Sequence, residues 1–171
     1  MKQKYFVHMA VIGLLYLILA TPAFAHEDPG ISSGATLAPL IGGLIGGVVL
    51  AGVAMMMIQP KPDRLMLSVL FGIGFAGILH LAVALIWGDN LLLLNGAGFI
   101  VLGIAWGWFT GLVPGGRTTI LAVLAVYTLV TFVGYFVTHD HFDLVGLASK
   151  AAEAFLLIVI GIILFRPSSA S

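Results

Sequence analysis

The sequence predicts an all-α integral membrane protein, a helical bundle of five transmembrane helices after a cleaved signal peptide. Three observations carry that expectation. Hydrophobic residues make up 61% of the chain and charged residues 8%, where a soluble domain carries roughly 25% charge, so the chain cannot cover an ordinary water-facing surface. Apolar segments recur at 37–58, 65–87, 91–112, 118–137 and 147–165, each close to the roughly 20 residues that cross about 30 Å of hydrocarbon. The first 25 residues have the layout of a secretory signal.

That signal reads in order. Lys2 and Lys4 give a basic start, the run from Met9 to Ala20 is apolar, and Ala23 and Ala25 supply the small residues of a cleavage site. Cleavage after Ala25 leaves His26 at the new N-terminus, heading an extracytoplasmic segment over 26–36. The transmembrane domain then runs over 37–165, followed by a cytoplasmic tail at 166–171. Connections at 59–64, 88–90, 113–117 and 138–146 are short, which makes consecutive helices antiparallel neighbours.

Orientation follows from the basic residues. A cleaved signal places His26 outside, and the loops that then fall inside carry Lys61, Arg64, Arg117 and Arg166. Positive residues gather on the cytoplasmic side of membrane proteins, so the two criteria agree. The setting is the inner cell membrane, with the N-terminus outside and the C-terminus inside.

Small residues prepare the helices for close packing. Gly42, Gly43, Gly46 and Gly47 stripe the first span, and Gly103, Gly107 and Gly111 the third. Such spacing lets helix backbones approach, within a bundle or across a homo-oligomer. Trp87, Trp106 and Trp108 sit near span ends, where tryptophan anchors at the interface.

The chemistry concentrates on one side. In this topology His26, Glu27, Asp28, His80, Asp89, His139, Asp140, His141, Asp143 and Glu153 all lie outside or in the outer leaflet, and Asp63 is the lone acid inside. His80 falls about 10 Å below the end of the second span, at about 1.5 Å per residue. Glu153 enters the fifth span at similar depth, Asn95 the third, and Thr128, Thr131, Tyr135 and Thr138 form a polar stripe on the fourth. Ionisable groups inside a membrane are expensive and turn toward protein or water.

The densest element is His139-Asp140-His141-Phe142-Asp143. Alternating imidazoles and carboxylates suit a transition-metal ion, with zinc and nickel behind copper, which stands highest in divalent affinity. His26 favours copper further. A free N-terminal histidine offers its amino group and ring as a chelating pair, which resembles the copper brace of secreted copper monooxygenases and periplasmic copper carriers. The expected metal set is His26, His80, His139, Asp140, His141, Asp143 and Glu153. A structural alternative stands beside it, with His80 hydrogen-bonded in the bundle and Glu153 paired with Lys150 one turn earlier.

Function classes narrow accordingly. The balanced charge, seven basic against seven acidic residues, gives no field for nucleic acid. The absence of cysteine removes thiolate sites and disulfides, and no nucleophile motif or cofactor fingerprint is present, so no catalytic residue is assigned. The expected role is a metal-holding accessory subunit or assembly and metal-delivery factor for a larger membrane oxidase or oxygenase, or for a metal carrier. The alternatives are a component of a copper, nickel or cobalt transporter, for which the apolar inner half provides little path, and a metal-free structural subunit. Intact-mass analysis of the membrane-inserted protein is expected to show a chain beginning at His26; retention of Met1 would remove both the signal and the N-terminal chelate.

Overall fold

The computed structural model describes residues 33–59, 61–108, 116–138 and 144–166. They form five helices: α1 (Ser33–Met57), α2 (Arg64–Trp87), α3 (Asn90–Trp108), α4 (Gly116–Thr138) and α5 (Leu144–Phe165). All five are long and apolar enough to cross a membrane, and no strand occurs among the described residues. The expected signal peptide, His26 and the 139–143 segment lie outside the described residues. Three helix starts differ from expectation by two residues or more, the first being α1 at Ser33 rather than 37. Helix α4 begins at Gly116, with φ of 54° at that residue. Helix α5 starts at Leu144 rather than 147, because Val145 turns inward and is buried against Leu79 and Val83.

Local chemistry sets the turns. Asp63 caps α2, its side chain accepting from the Met66 N–H at 2.7 Å, which satisfies one of the donors a helix start leaves open. At the other end Gly88 adopts φ 70°, a left-handed conformation glycine reaches without steric penalty. Asp89 follows at once and caps α3, accepting from the N–H groups of Leu91 and Leu92 at 2.8 and 3.1 Å. One glycine and one aspartate thus reverse the chain between α2 and α3. Asp63 and Asp89 are helix caps.

Helix α2 is the axis of the bundle. Of its span 78% is buried, against 22% of α4's, and it packs on α1, α3 and α5. Its small residues face those neighbours in turn. A Cβ on Gly74 would meet the Gly46 carbonyl on α1 at 2.5 Å, one on Gly77 would meet Ile100 of α3 at 2.8 Å, and one on Gly72 would meet Leu156 of α5 at 3.3 Å. The glycines of α1 answer from the other side: Gly46 lies against Ile78 and Gly74, and Gly47 against Phe71. Among the described residues Gly43, Gly46 and Gly47 of α1 and Gly96 and Gly103 of α3 lie against α2, whereas Gly98 of α3 faces Tyr127 of α4 and Gly52 of α1 meets no atom within 4 Å.

The main core gathers in the half of the bundle nearer Trp108. Val69, Leu70 and Ile73 of α2 meet Phe99 and Trp106 of α3, Leu121 and Leu124 of α4, and Leu156 and Ile160 of α5. Trp106 is therefore a core residue and no interfacial anchor. It shares a face with Phe99 and Gly103, three and four residues apart, and that face is turned to α2. Arg117 lies over its ring at 5.8 Å. Trp87, by contrast, is 62% exposed, as an anchor requires.

Replacing Gly46 by leucine is expected to lower stability by about 1–3 kcal/mol, the usual cost of overpacking, because Ile78 and the Gly74 carbonyl leave no room. Gly52→Ala, which meets no atom within 4 Å, is expected to leave stability unchanged. Denaturation of the purified protein in mixed micelles reads both.

Candidate functional site

Toward the Trp87 end the packing changes character. Beyond Leu124 the inward face of α4 carries Thr128 and Thr131 instead of leucine. On α5, Ser149, Lys150 and Glu153 are all buried, and on α2 so is His80. Polar side chains from three helices meet at that level.

Glu153 is the centre. It is fully buried, and its Oε1 receives the Lys150 ammonium at 2.5 Å and the Ser149 hydroxyl at 3.2 Å. Its Oε2 accepts from the Thr131 hydroxyl at 3.2 Å. Lys150 also donates to the Thr131 carbonyl at 3.2 Å and stands 5.2 Å from the centre of the Tyr135 ring. Both members of the ion pair are thus satisfied, as a buried pair must be.

His80 joins from α2. Its Nδ1 lies 2.7 Å from the Ala76 carbonyl. A carbonyl only accepts, so Nδ1 carries a proton and donates. Its Nε2 then faces Ser149 Oγ at 3.3 Å and Glu153 Oε1 at 3.4 Å. The imidazole stacks on Phe99 of α3, with centroids 5.8 Å apart, and Phe99 meets the Tyr127 ring of α4 edge-on at 5.1 Å. Four helices are linked through these rings and the ion pair.

Two of the expected metal residues, His80 and Glu153, are therefore brought together from two different helices, α2 and α5. No third histidine or acid joins them among the described residues. Lys150 already places a cation on the carboxylate, so a metal ion bound between His80 and Glu153 would have to displace it. The pair has the geometry of the structural alternative. His26, His139, Asp140, His141 and Asp143 lie outside the described residues, although α4 and α5, which flank 139–143, are cross-linked by Thr131, Lys150 and Glu153.

Sequence reasoning missed Ser149 and Tyr127. Ser149 could have been found, since it stands one helical turn before Glu153 and beside Lys150. Tyr127 could not, because its role depends on a contact with another helix: its hydroxyl donates to the Asn95 carbonyl at 2.9 Å. Above that bond lies a cavity of about 540 Å³ between α2, α3, α4 and α5, bordered by His80, Ser149 and Lys150 on its polar side.

Lys150→Met and Glu153→Gln are each expected to cost about 3 kcal/mol or more, because each strands a buried partner. The double variant is expected to be more stable than either single one, and thermal melting of the purified protein compares the three. Set against known proteins, the chain matches no family model, no curated protein and no solved structure.

Proposed function

We propose that this membrane protein is an accessory subunit that holds a transition-metal ion, copper first, at the outer face of the bilayer for a larger redox complex. The ligands are His139 and His141 with Asp140 and Asp143, joined by His26 after signal cleavage. His80 and Glu153 belong to the hydrogen-bonded interior of the bundle and are not part of this set. The observation that supports this division is the Lys150–Glu153 ion pair, which takes up the one buried carboxylate near His80.

Rigidity is what a metal site of this kind needs. A short run of ligands binds tightly only when its ends are held, because each ordered side chain otherwise costs conformational entropy on binding. Here Thr131 ties α4 to α5 through both Glu153 and Lys150. Tyr135, one turn further along, lies against Gly146 so closely that a Cβ there would collide with its hydroxyl. The chain between 138 and 144 therefore starts and ends on helices fixed to one another. Histidine and carboxylate together fit copper, zinc or nickel better than calcium, which prefers oxygen alone.

Equilibrium dialysis of the purified mature protein is expected to show tight copper binding, weakened by about 100-fold in a His139→Ala/His141→Ala variant. His80→Ala is expected to leave the affinity unchanged while lowering stability. A wild-type protein that retains no copper, zinc or nickel overturns the proposal, and co-purification with an oxidase or oxygenase tests the accessory role separately.

A further inference from the structure

The end of the bundle away from the candidate site carries a charge pattern that neither the buried ion pair nor a metal explains. Ile58 just after α1, Met66 of α2, Trp106 of α3, Ile120 of α4 and Leu164 of α5 belong to one packed cluster, so five helix ends meet there. Lys61, Arg64, Arg117 and Arg166 stand beside those residues in sequence, and all four are exposed. Asp63 is the lone acid at that end among the described residues, and its carboxylate caps α2 through the Met66 N–H. The opposite end has Asp89 and no exposed cation among the described residues. The charge of the bundle surface is therefore gathered at one end, with a clear positive excess.

These cations have no anionic partner. Both ion pairs among the described residues are made by Glu153, in the other half of the bundle. Lys61 donates to the Met55 carbonyl and so closes the end of α1, but Arg64, Arg117 and Arg166 join no ion pair there. Arg117 is also held in place. Its guanidinium lies 5.8 Å from the centre of the Trp106 ring, and Trp106 is a fixed part of the core. Stacking occupies the flat face of a guanidinium and leaves its N–H edge open to grip an oxyanion with two parallel bonds.

Position selects the partner. The ends of membrane-spanning helices lie at the level of the lipid headgroups, and the adjoining turns here are apolar and exposed, Ile104 of α3 by 38% and Val123 of α4 by 50%. A phospholipid supplies an oxyanion at the first level and acyl chains at the second. Free phosphate or an acidic peptide would answer the charge and make no use of the apolar belt beside it. We propose that this end of the bundle binds anionic phospholipid, a headgroup phosphate on the open edge of Arg117 and an acyl chain against Ile104 and Val123. A zwitterionic lipid brings the same phosphate with a cation attached, which the basic end repels.

Native mass spectrometry of the full-length protein, released from nanodiscs holding equal amounts of phosphatidylglycerol and phosphatidylcholine, tests this. Phosphatidylglycerol is expected to stay bound in excess, by about fivefold for each arginine engaged. Arg117→Gln is expected to reduce that excess about fivefold and to leave retention of phosphatidylcholine unchanged. Arg117→Lys, which keeps the charge and loses the planar fork, is expected to fall between the two. Because Arg117 is exposed, the melting temperature of both variants in phosphatidylcholine is expected to match the wild type. Equal retention of the two lipids overturns the proposal, and so does an undiminished excess in Arg117→Gln. Displacement of the lipid by inorganic phosphate overturns it too, since the apolar belt would then contribute nothing.

Discussion

Everything in this bundle depends on how closely other backbones can approach α2. Lipid gives helices no hydrophobic reason to associate, so van der Waals contact between backbones has to supply the attraction. Gly72, Gly74 and Gly77 open α2 toward α5, α1 and α3 respectively. A side chain at any of them would push one neighbour outward, and the positions of the other helices follow from that fit. Helix α4 is the exception. It packs on α5 and touches α3, with little contact to the axis, and the cavity is the space left by that asymmetry.

Where close packing stops, hydrogen bonding takes over. Dispersion can hold α4 in the half of the bundle that contains Leu121 and Leu124, but further along it has Thr128 and Thr131 facing inward. Those hydroxyls have no apolar use. They are satisfied by the Leu124 carbonyl, by the Thr128 carbonyl and by Glu153. Thr131, donating to Glu153 and accepting from Lys150, fixes the rotation of α4 against α5 in a way that smooth leucine surfaces do not. The buried charges are thus a registration device for the least anchored helix, and the site and the cavity sit where they do because registration there is polar.

Legibility in the sequence followed the range of the interaction involved. Helix number and position could be read because length and hydropathy are properties of one segment, and the reversal at Gly88 and Asp89 involves adjacent residues only. The core role of Trp106 was hidden, since position along the chain suggested an interface while the face it shares with Phe99 and Gly103 decided burial. In the candidate site, Lys150 beside Glu153 was legible as a one-turn spacing. The meeting of His80 with Ser149, 69 residues apart, was not, because it depends on α2 and α5 lying side by side. Asn95 was visible as a polar residue in a span, but its open acceptor emerges only once Tyr127 is seen to bond the backbone carbonyl and not the side chain.

The ion pair of α5 also bears on how the chain enters the bilayer. Lys150 and Glu153 are three residues apart on one helix, so they meet as soon as that segment coils, before α2 or α4 is beside it. The last span can therefore partition into lipid as an electrically neutral unit, each charge shielded by a neighbour it carries with it. Had the two groups been placed on different helices, each would have had to cross alone and search for its partner inside the membrane. Their spacing makes the helix that carries this buried ion pair self-sufficient during biogenesis.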